Sequence, residues 1–288
     1  MAPDLLLVTC GLFPEGEPGH EHLDRALADR GVDARWVRWD DDHVDWQSAG
    51  LVAVRATWDY DTRLPQFLAW ADRVGPGLLN GADVFTWNTD KAYLVELAEA
   101  GLPVVPTQLA GGDRPFATCV LKPRVGAGGR GVEVVRAEDP WPADVGGLIV
   151  QPLVDSVRTD GETSVFVLGG RAVSQVVKHP AAEEIRVHEE YGGSSRTVDL
   201  ASDVATVAER ALTAVERLRG FDLAYGRVDL MRWQDAWVIS ELELTEPGLY
   251  LDQLPGNADA FAALVAARLA ARLGDEVVGS FALDHPEC

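Results

Sequence analysis

The chain is short of cysteine, of positive charge and of long apolar runs. Its 288 residues include only three cysteines, Cys10, Cys119 and Cys288. They are scattered, without metal-binding spacing, so a disulfide scaffold and a zinc ribbon are excluded and a reducing compartment is expected. Lysine and arginine number 25 against 46 aspartate and glutamate, a formal net charge of −21. That surplus disfavours nonspecific binding to nucleic acid or anionic membranes, both polyanions, while leaving room for a local basic pocket. No apolar run reaches the roughly 18 residues that a membrane helix needs. The start lacks the basic segment of a signal peptide, and Leu5 to Val8 reads as a first strand. A cytoplasmic protein with no nucleic-acid or membrane partner is the expectation. Also lacking are a Gly-Lys-Ser/Thr phosphate loop and any Ser-His-Asp or Cys-His nucleophile set. The six histidines, His20, His22, His43, His179, His188 and His285, show no metal spacing; His179, beside Lys178, is the one to watch.

What is present begins with a core, since 47% of the residues are hydrophobic. Up to about residue 85 strands and helices alternate: strands at 5–8, 34–39 and 51–55, helices at 22–30 and 67–74. This rhythm predicts an open, mostly parallel α/β sheet, which binds ligands at the carboxyl ends of its strands. Arg55-Ala56-Thr57-Trp58-Asp59-Tyr60 lies at one such end. Arg55, Trp58, Asp59 and Tyr60 are therefore candidate substrate residues, or else a loop covering the sheet edge. The pattern then predicts a helix over 89–101 ending at Gly101, a strand-dominated stretch over 104–177, and a helix from Ser202 to about Arg219. That last helix has Val204, Val207, Ala208, Ala211, Leu212, Val215 and Leu218 in one stripe. An Ala-rich helix over 258–273 closes the chain.

Two segments carry the chemistry. In 226–233 and 237–244 apolar and polar residues alternate, as in strands with one buried face. A three-residue loop 234–236 would pair Trp233 with Trp237 and set Asp229 opposite Glu241, with Glu243 on the same face. Like charges directly opposite repel, so three carboxylates on one face point to a cation, and all-oxygen ligands suit Mg²⁺. A solvated acidic face is the alternative.

The second segment is 119–132. Gly126, Gly128 and Gly131 match the dinucleotide-binding spacing, but that motif needs a helix directly after it, and Val132-Glu133-Val134-Val135 is strand-like. The NAD reading is therefore rejected. A Gly-rich hairpin still cradles phosphates, because glycine lets backbone N–H groups approach an anion. Gly126, Gly128 and Gly129 are candidates, with Lys122 placing a cation just before them.

A helix-borne Lys91, then Lys122 before a Gly-rich loop, then a late Asp with Glu-x-Glu together resemble the ATP-grasp ligase superfamily. The motifs at 55–60, 87–94 and 241–247 resemble the subfamily of D-cycloserine-forming cyclo-ligases within it. The resemblance implies an α/β and α+β fold: an N-terminal α/β domain over 1–85, a small ATP-binding subdomain with a Gly-rich lid over 86–152, and a C-terminal ATP-grasp subdomain over 153–288. It implies that Lys91 and Lys122 bind ATP phosphates, that Gln151 and Leu153 lie in the adenine hinge, and that Glu162, or more weakly Asp155, binds ribose. Asp229, Glu241 and Glu243 correspond to residues holding two Mg²⁺ ions, for which Mn²⁺ substitutes; most relatives carry Asn where Glu243 stands. Lys178, Arg186 and Arg227 correspond to cations around the reacting phosphate, and Tyr191 and Gly192 to a substrate loop. The implied reaction is ADP-forming C–N ligation through an acyl phosphate, joining a small carboxylate such as an amino acid to an amine, in one molecule for a cyclo-ligase. A nucleotide-binding protein without catalysis is the competing class, and a homodimer is left open.

Overall fold

The computed structural model describes residues 2–283, with side chains through residue 272. Cys288 and His285 lie outside the described residues. In chain order the elements are β1 (Leu5–Thr9), α1 (His20–Ala28), β2 (Ala34–Arg38), β3 (Leu51–Ala56), α2 (Leu64–Val74), α3 (Ala82–Asn88), α4 (Tyr93–Glu99), β4 (Gln108–Leu109), β5 (Cys119–Pro123), β6 (Glu133–Val135), β7 (Leu148–Pro152), α5 (Ser156–Thr159), β8 (Glu162–Leu168), β9 (Arg171–His179), β10 (Ser194–Val198), α6 (Ser202–Arg219), β11 (Tyr225–Trp233), β12 (Ala236–Glu243) and α7 (Gly256–Leu283). They form two compact units.

The first unit comprises the chain through Thr57, then Arg73–Leu79, then the chain from Gly248 on, so α7 packs with the N-terminal elements rather than with residues 153–247. The sequence boundaries at 85 and 152 are not where this division falls. Its sheet is parallel, ordered β2-β1-β3. Central β1 and neighbouring β3 are buried on both faces, which explains their unbroken apolar runs. α1 covers the sheet with Leu23, Ala26 and Leu27, and α7 contributes Phe261, Ala262 and Val265. Arg55 points into this core. It is fully buried, its Nε donates to Glu17 Oε1 at 2.9 Å, and its guanidinium lies 4.9 Å from the centre of the Phe261 ring. Glu17 Oε2 also accepts the Leu249 N–H at 2.8 Å.

The second unit, residues 58–72 and 80–247, holds two antiparallel sheets. One is ordered β4-β7-β5-β6 and packs around Cys119, Leu121, Val135 and Val150. The other is ordered β10-β9-β8-β11-β12, with α6 against β8, β9 and β11. The two are stitched together before β4, where Val105 N–H donates to Ile239 C=O at 2.9 Å and Ile239 N–H to Pro103 C=O at 2.7 Å. α6 spans the expected residues and buries Val204, Ala208, Ala211, Leu212 and Val215, but Leu218, expected in the stripe, is 44% exposed in its last turn. The helix expected over 89–101 begins only at Tyr93. Residues 89–92 form a turn after α3, so Lys91 is borne by a turn, not a helix.

The β11–β12 hairpin differs from its sequence reading in an instructive way. Its loop is Gln234-Asp235, both left-handed with φ 49° and 65°, so Trp233 pairs with Ala236 and not Trp237. Two consecutive positive φ values make the tight turn that matches strand twist. A bulge between Asp229 and Leu230 then adds one residue on β12, Ser240, and restores Asp229 opposite Glu241.

Removing one partner of a buried ion pair leaves an uncompensated charge. Arg55→Ala is therefore expected to lower stability by about 3–5 kcal/mol, read by urea unfolding.

Candidate active site

The centre of the second unit is a lattice of alternating charge on the β8, β9, β11 and β12 strands. Asp229 is 2% exposed. Its Oδ1 accepts Ser164 Oγ at 2.6 Å and Arg227 Nε at 2.9 Å, and its Oδ2 accepts Arg227 Nη2 at 2.9 Å and Lys178 Nζ at 3.1 Å. Lys178 also pairs with Glu162 Oε1 at 2.7 Å, and Glu162 Oε2 accepts Ser240 Oγ at 3.0 Å. Arg227 reaches on to Glu243, its cross-strand partner. Burial would raise the Asp229 carboxyl, but Arg227 and Lys178 hold it well below the usual range. Glu243 goes the other way: burial first, then the negative charges of Asp229 and Glu241, push it up to about 7 despite Arg227.

Glu241 shares this face and meets the turn that carries Lys91. Lys91 Nζ lies 3.0 Å from Glu241 Oε1 and donates to Gly126 C=O at 2.7 Å. The turn that carries Lys91 is fixed by its own amide, which donates to Arg124 C=O at 2.7 Å, and by Arg124 Nε donating to Asp90 Oδ1 at 2.9 Å. Asn88 and Tyr93 lock the same turn to β12: Asn88 Nδ2 donates to Leu242 C=O at 2.9 Å, and the Tyr93 hydroxyl accepts Leu242 N–H at 2.7 Å.

The loop itself connects antiparallel β5 and β6, with a strand and no helix after it, as the sequence led us to expect. Gly128, Gly129 and Gly131 all have positive φ. Gly129 also has a steric reason, since a Cβ there would stand 2.9 Å from His188 Nδ1. Arg130 Nη2 donates to Asp61 Oδ2 at 2.7 Å, so the loop is tied down at its far side. Lys122, at the loop's root, is half-buried, and among the described residues its ammonium has no hydrogen bond or ion pair. Burial draws its pKa down against the pull of Glu241 and Glu162. An unpaired ammonium beside left-handed glycines is arranged for an anion.

The remaining candidates fall around this centre. Gln151, in β7, is 2% exposed and donates to Thr107 Oγ1 at 2.9 Å, and Leu153 N–H donates to Thr118 C=O at 3.1 Å. Asp155 is exposed, next to Arg158. Arg186 pairs with Glu184 Oε2 at 2.6 Å and lies 3.5 Å over the Tyr191 ring, with Gly192 left-handed after it. Trp58 Nε1 donates to Glu246 C=O at 3.1 Å, Asp59 pairs with Arg63 at 2.9 Å, and Tyr60 is 4% exposed. Arg55 belongs to the first unit, where its guanidinium serves the buried pair with Glu17.

Two residues at the centre were missed by the sequence reading. His188, not His179, is the histidine whose charge feels Lys178, Glu162, Glu241 and Arg227; burial, then Lys178, lowers its pKa, and its buried Nδ1 has no hydrogen-bond partner among the described residues. Glu246 is 7% exposed, and burial, then Glu243, push its carboxyl up to about 8. A lone His in a loop carries no spacing signal, and Glu246, though within the 241–247 motif, was assigned no role there.

Glu241 and Glu243 lie two residues apart on one face, and a carboxylate raised by burial and then by its neighbours' charge is one that a cation would relieve. No group of three acidic, histidine or cysteine side chains converges into a cage among the described residues. Mg²⁺ in nucleotide sites keeps water and takes one or two carboxylates plus phosphate oxygens, so the residues present fit that mode. The oxygens of Asp229, by contrast, are engaged by Ser164, Arg227 and Lys178.

Comparison with known proteins decides the family. Residues 89–242 match the ATP-grasp domain, and residues 5–80 match the N-terminal domain of D-cycloserine synthetase DcsG. The chain belongs to the ATP-grasp ligase family. It is 32% identical over 269 residues to the cycloserine biosynthesis protein DcsG of Streptomyces lavendulae, covering 83% of this chain and 90% of that protein. It superposes on the crystal structure of D-cycloserine synthetase DcsG with a TM-score of 0.79 at 29% identity, covering 92% and 99% of the two chains. The D-alanine–D-alanine ligase of Bacillus anthracis shares the fold, with a TM-score of 0.62 at 13% identity, covering 96% of this chain and 99% of that one. An ATP-grasp ligase named PsnB, solved with a precursor variant, Mg and ADP, also shares it, with a TM-score of 0.63 at 14% identity, covering 92% and 99%. The family is one of ATP-dependent ligases that use Mg²⁺. No described helix is long and apolar enough to cross a membrane.

Glu246 supplies a test that needs no substrate. A buried carboxyl with a folded pKa near 8 and an unfolded one near 4.5 favours folding when protonated. That contribution is full below the unfolded value and is lost as pH rises through 8. Glu246→Gln, which keeps the neutral shape, should gain stability relative to the parent between pH 5 and 9, with the gain growing as pH rises, read from paired thermal melts.

Proposed function

We propose that the chain is an ADP-forming carboxylate–nitrogen ligase of the cyclising, D-cycloserine-synthetase type. The observation that carries this reading is the pairing of an unpartnered Lys122 at the root of a left-handed glycine loop with the carboxylate row Glu241 and Glu243 facing it. ATP would lie between the subdomains formed by 86–152 and 153–247. Its adenine would sit along β7 at Gln151 and Leu153, its ribose near Glu162, and its phosphates under Gly126, Gly128 and Gly129 and against Lys122 and Lys91. Two Mg²⁺ ions, or Mn²⁺ in their place, would be held by Glu241 and Glu243, with Asp229 joining by releasing Lys178; the metal would neutralise phosphate charge.

Phosphoryl transfer asks little covalent work of a protein, so positioning and charge dominate. The substrate carboxylate attacks the terminal phosphorus, the bond to ADP breaks, and an acyl phosphate forms. A nitrogen of the same molecule then attacks the acyl carbon, loses its proton, and phosphate departs as the ring closes. Arg186 and Arg227 are the groups suited to gripping the transferring oxygens, because a guanidinium binds two oxygens at once. Lys178 neutralises Glu162 and, until Asp229 turns to the metal, that carboxylate as well. Trp58, Asp59, Tyr60, Tyr191 and Gly192 border the organic substrate. The comparison with cycloserine biosynthesis supports an amino-acid-derived acid and a small-molecule product, as a soluble biosynthetic enzyme would make.

Hydroxylamine tests the intermediate. With ATP, Mg²⁺ and the productive acid it should give a hydroxamate, with ADP and phosphate as the other products; AMP and pyrophosphate would overturn the mechanism. Glu241→Gln should lose turnover by at least about a hundredfold with the fold intact by circular dichroism, since it removes a charge that both Lys91 and the metal require. Lys122→Ala should raise the ATP KM and lower kcat together, because phosphate charge grows in the transition state.

A further inference from the structure

An amine that attacks an acyl phosphate must lose a proton, and that proton needs an acceptor. The carboxylates of the charge lattice are already engaged: Asp229 by Ser164, Arg227 and Lys178, Glu162 by Lys178 and Ser240, Glu241 by Lys91, and Glu243 by Arg227. His188 is not. Neither of its ring nitrogens has a hydrogen-bond partner among the described residues. Lys122 is the other unengaged base, but it stands where phosphate charge would keep it protonated.

The imidazole is held in place from two sides. His188 lies in the connection 180–193 between β9 and β10, and its C=O accepts the Tyr191 N–H at 3.0 Å and the Gly193 N–H at 3.1 Å. Its ring meets the Tyr191 ring edge-on, 6.4 Å between centroids, and the Arg186 guanidinium lies 3.5 Å over that same Tyr191 ring. On the other side stands the glycine loop. A Cβ at Gly129 would come within 2.9 Å of His188 Nδ1, 3.1 Å of its Cε1 and 3.3 Å of Arg186 Cδ, so only a glycine lets the loop settle against this ring. Nδ1 is the nitrogen buried there, which leaves Nε2 for a ligand. Charged groups act on the ring from four strands, Lys178 on β9, Glu162 on β8, Arg227 on β11 and Glu241 on β12, and Arg186 shares its connection. Burial first, then Lys178, lower its pKa from the ordinary 6.5 against the pull of Glu162 and Glu241. The ring is therefore neutral at neutral pH, the form that accepts a proton.

We propose that His188 is the proton acceptor of the second half-reaction. As the nitrogen bonds to the acyl carbon, its N–H proton passes to His188 Nε2, and phosphate leaves with the electron pair of the broken C–O bond. The imidazolium then gives its proton to water. This rests on the ligase reading above and adds the base that reading lacks. Phosphoryl transfer needs no such base, because the attacking carboxylate carries no proton. Loss of His188 should therefore stop the reaction after the acyl phosphate and not before it.

The experiment compares the parent with His188→Gln on a panel of D- and L-amino acids, including those whose side chain carries a nitrogen able to close a ring. Product is measured without hydroxylamine, and hydroxamate with it. Hydroxylamine is a strong nucleophile that yields its proton to water, so it reports the acyl phosphate without the base. In His188→Gln product formation should fall at least about a hundredfold, as for loss of a positioned base, while hydroxamate formation and the ATP KM stay within about threefold. The parent's product rate should drop on the acid side through an ionisation below 6.5, and that drop should be missing from the variant. His188→Asn serves if the Gln variant does not fold. Product formation within about threefold of the parent, or an acid-side drop that persists in the variant, would overturn the proposal. So would a hydroxamate rate that falls as far as the product rate, which is what lost support of the glycine loop alone would cause. A parent that releases no ADP with any acid defeats the ligase reading, and this proposal with it; a working parent matched by its variant defeats this proposal alone.

Discussion

Asp229 is held between Arg227 and Lys178 with almost no access to water, and the rest of the site is built outward from that arrangement. Arg227 leads to Glu243, Lys178 to Glu162, and Glu162 to Ser240. Removing any member would leave a neighbour charged and buried without compensation. The lattice also sets the character of its two ends. At Asp229, Arg227 and Lys178 hold the carboxyl well below its usual range; at Glu243 and Glu246, burial and then neighbouring carboxylates push it up. One sheet therefore presents a satisfied interior and an edge in need of positive charge.

That edge faces the glycine loop, and the two are coupled through a single ammonium. Lys91 bridges Glu241 on β12 and the Gly126 carbonyl in the loop. Its position depends on a tight turn rather than a helix, anchored by Asn88 and Tyr93 to Leu242. Arg130, gripping Asp61, fixes the loop's other flank. The loop is thus pinned at both ends while its glycines stay free of side chains, an arrangement that combines a defined resting place with little internal stiffness.

Much of this was legible in the sequence because period-two alternation and glycine spacing are strong local signals. The parallel N-terminal sheet, the strand after the glycine loop and the Asp229–Glu241 pairing all follow from them. The pairing was reached through a loop one residue too long, and the bulge at Ser240 compensated for the error; a bulge leaves no mark in a pattern of apolar and polar residues. Lys91 was read onto a helix because Asn88 or Thr89 looked like its cap, whereas hydrogen bonds from the chain far away hold that stretch as a turn. Arg55 sat in a motif that suggested a ligand, and only the fold shows that Glu17 meets it in a core. His188 and Glu246 depend on strands and loops distant in sequence, so nothing near them could announce their burial.

The chain contains just three lysines, Lys91, Lys122 and Lys178, and all three lie in this one site. Everywhere else its positive charge is arginine. Two of the three are engaged by carboxylates, and the third, at the root of the glycine loop, has no carboxylate partner among the described residues. The protein is in effect pre-labelled by omission: any lysine-directed modification of the chain falls within this one site. The same scarcity of lysine leaves the outer surface nearly silent to acetylation.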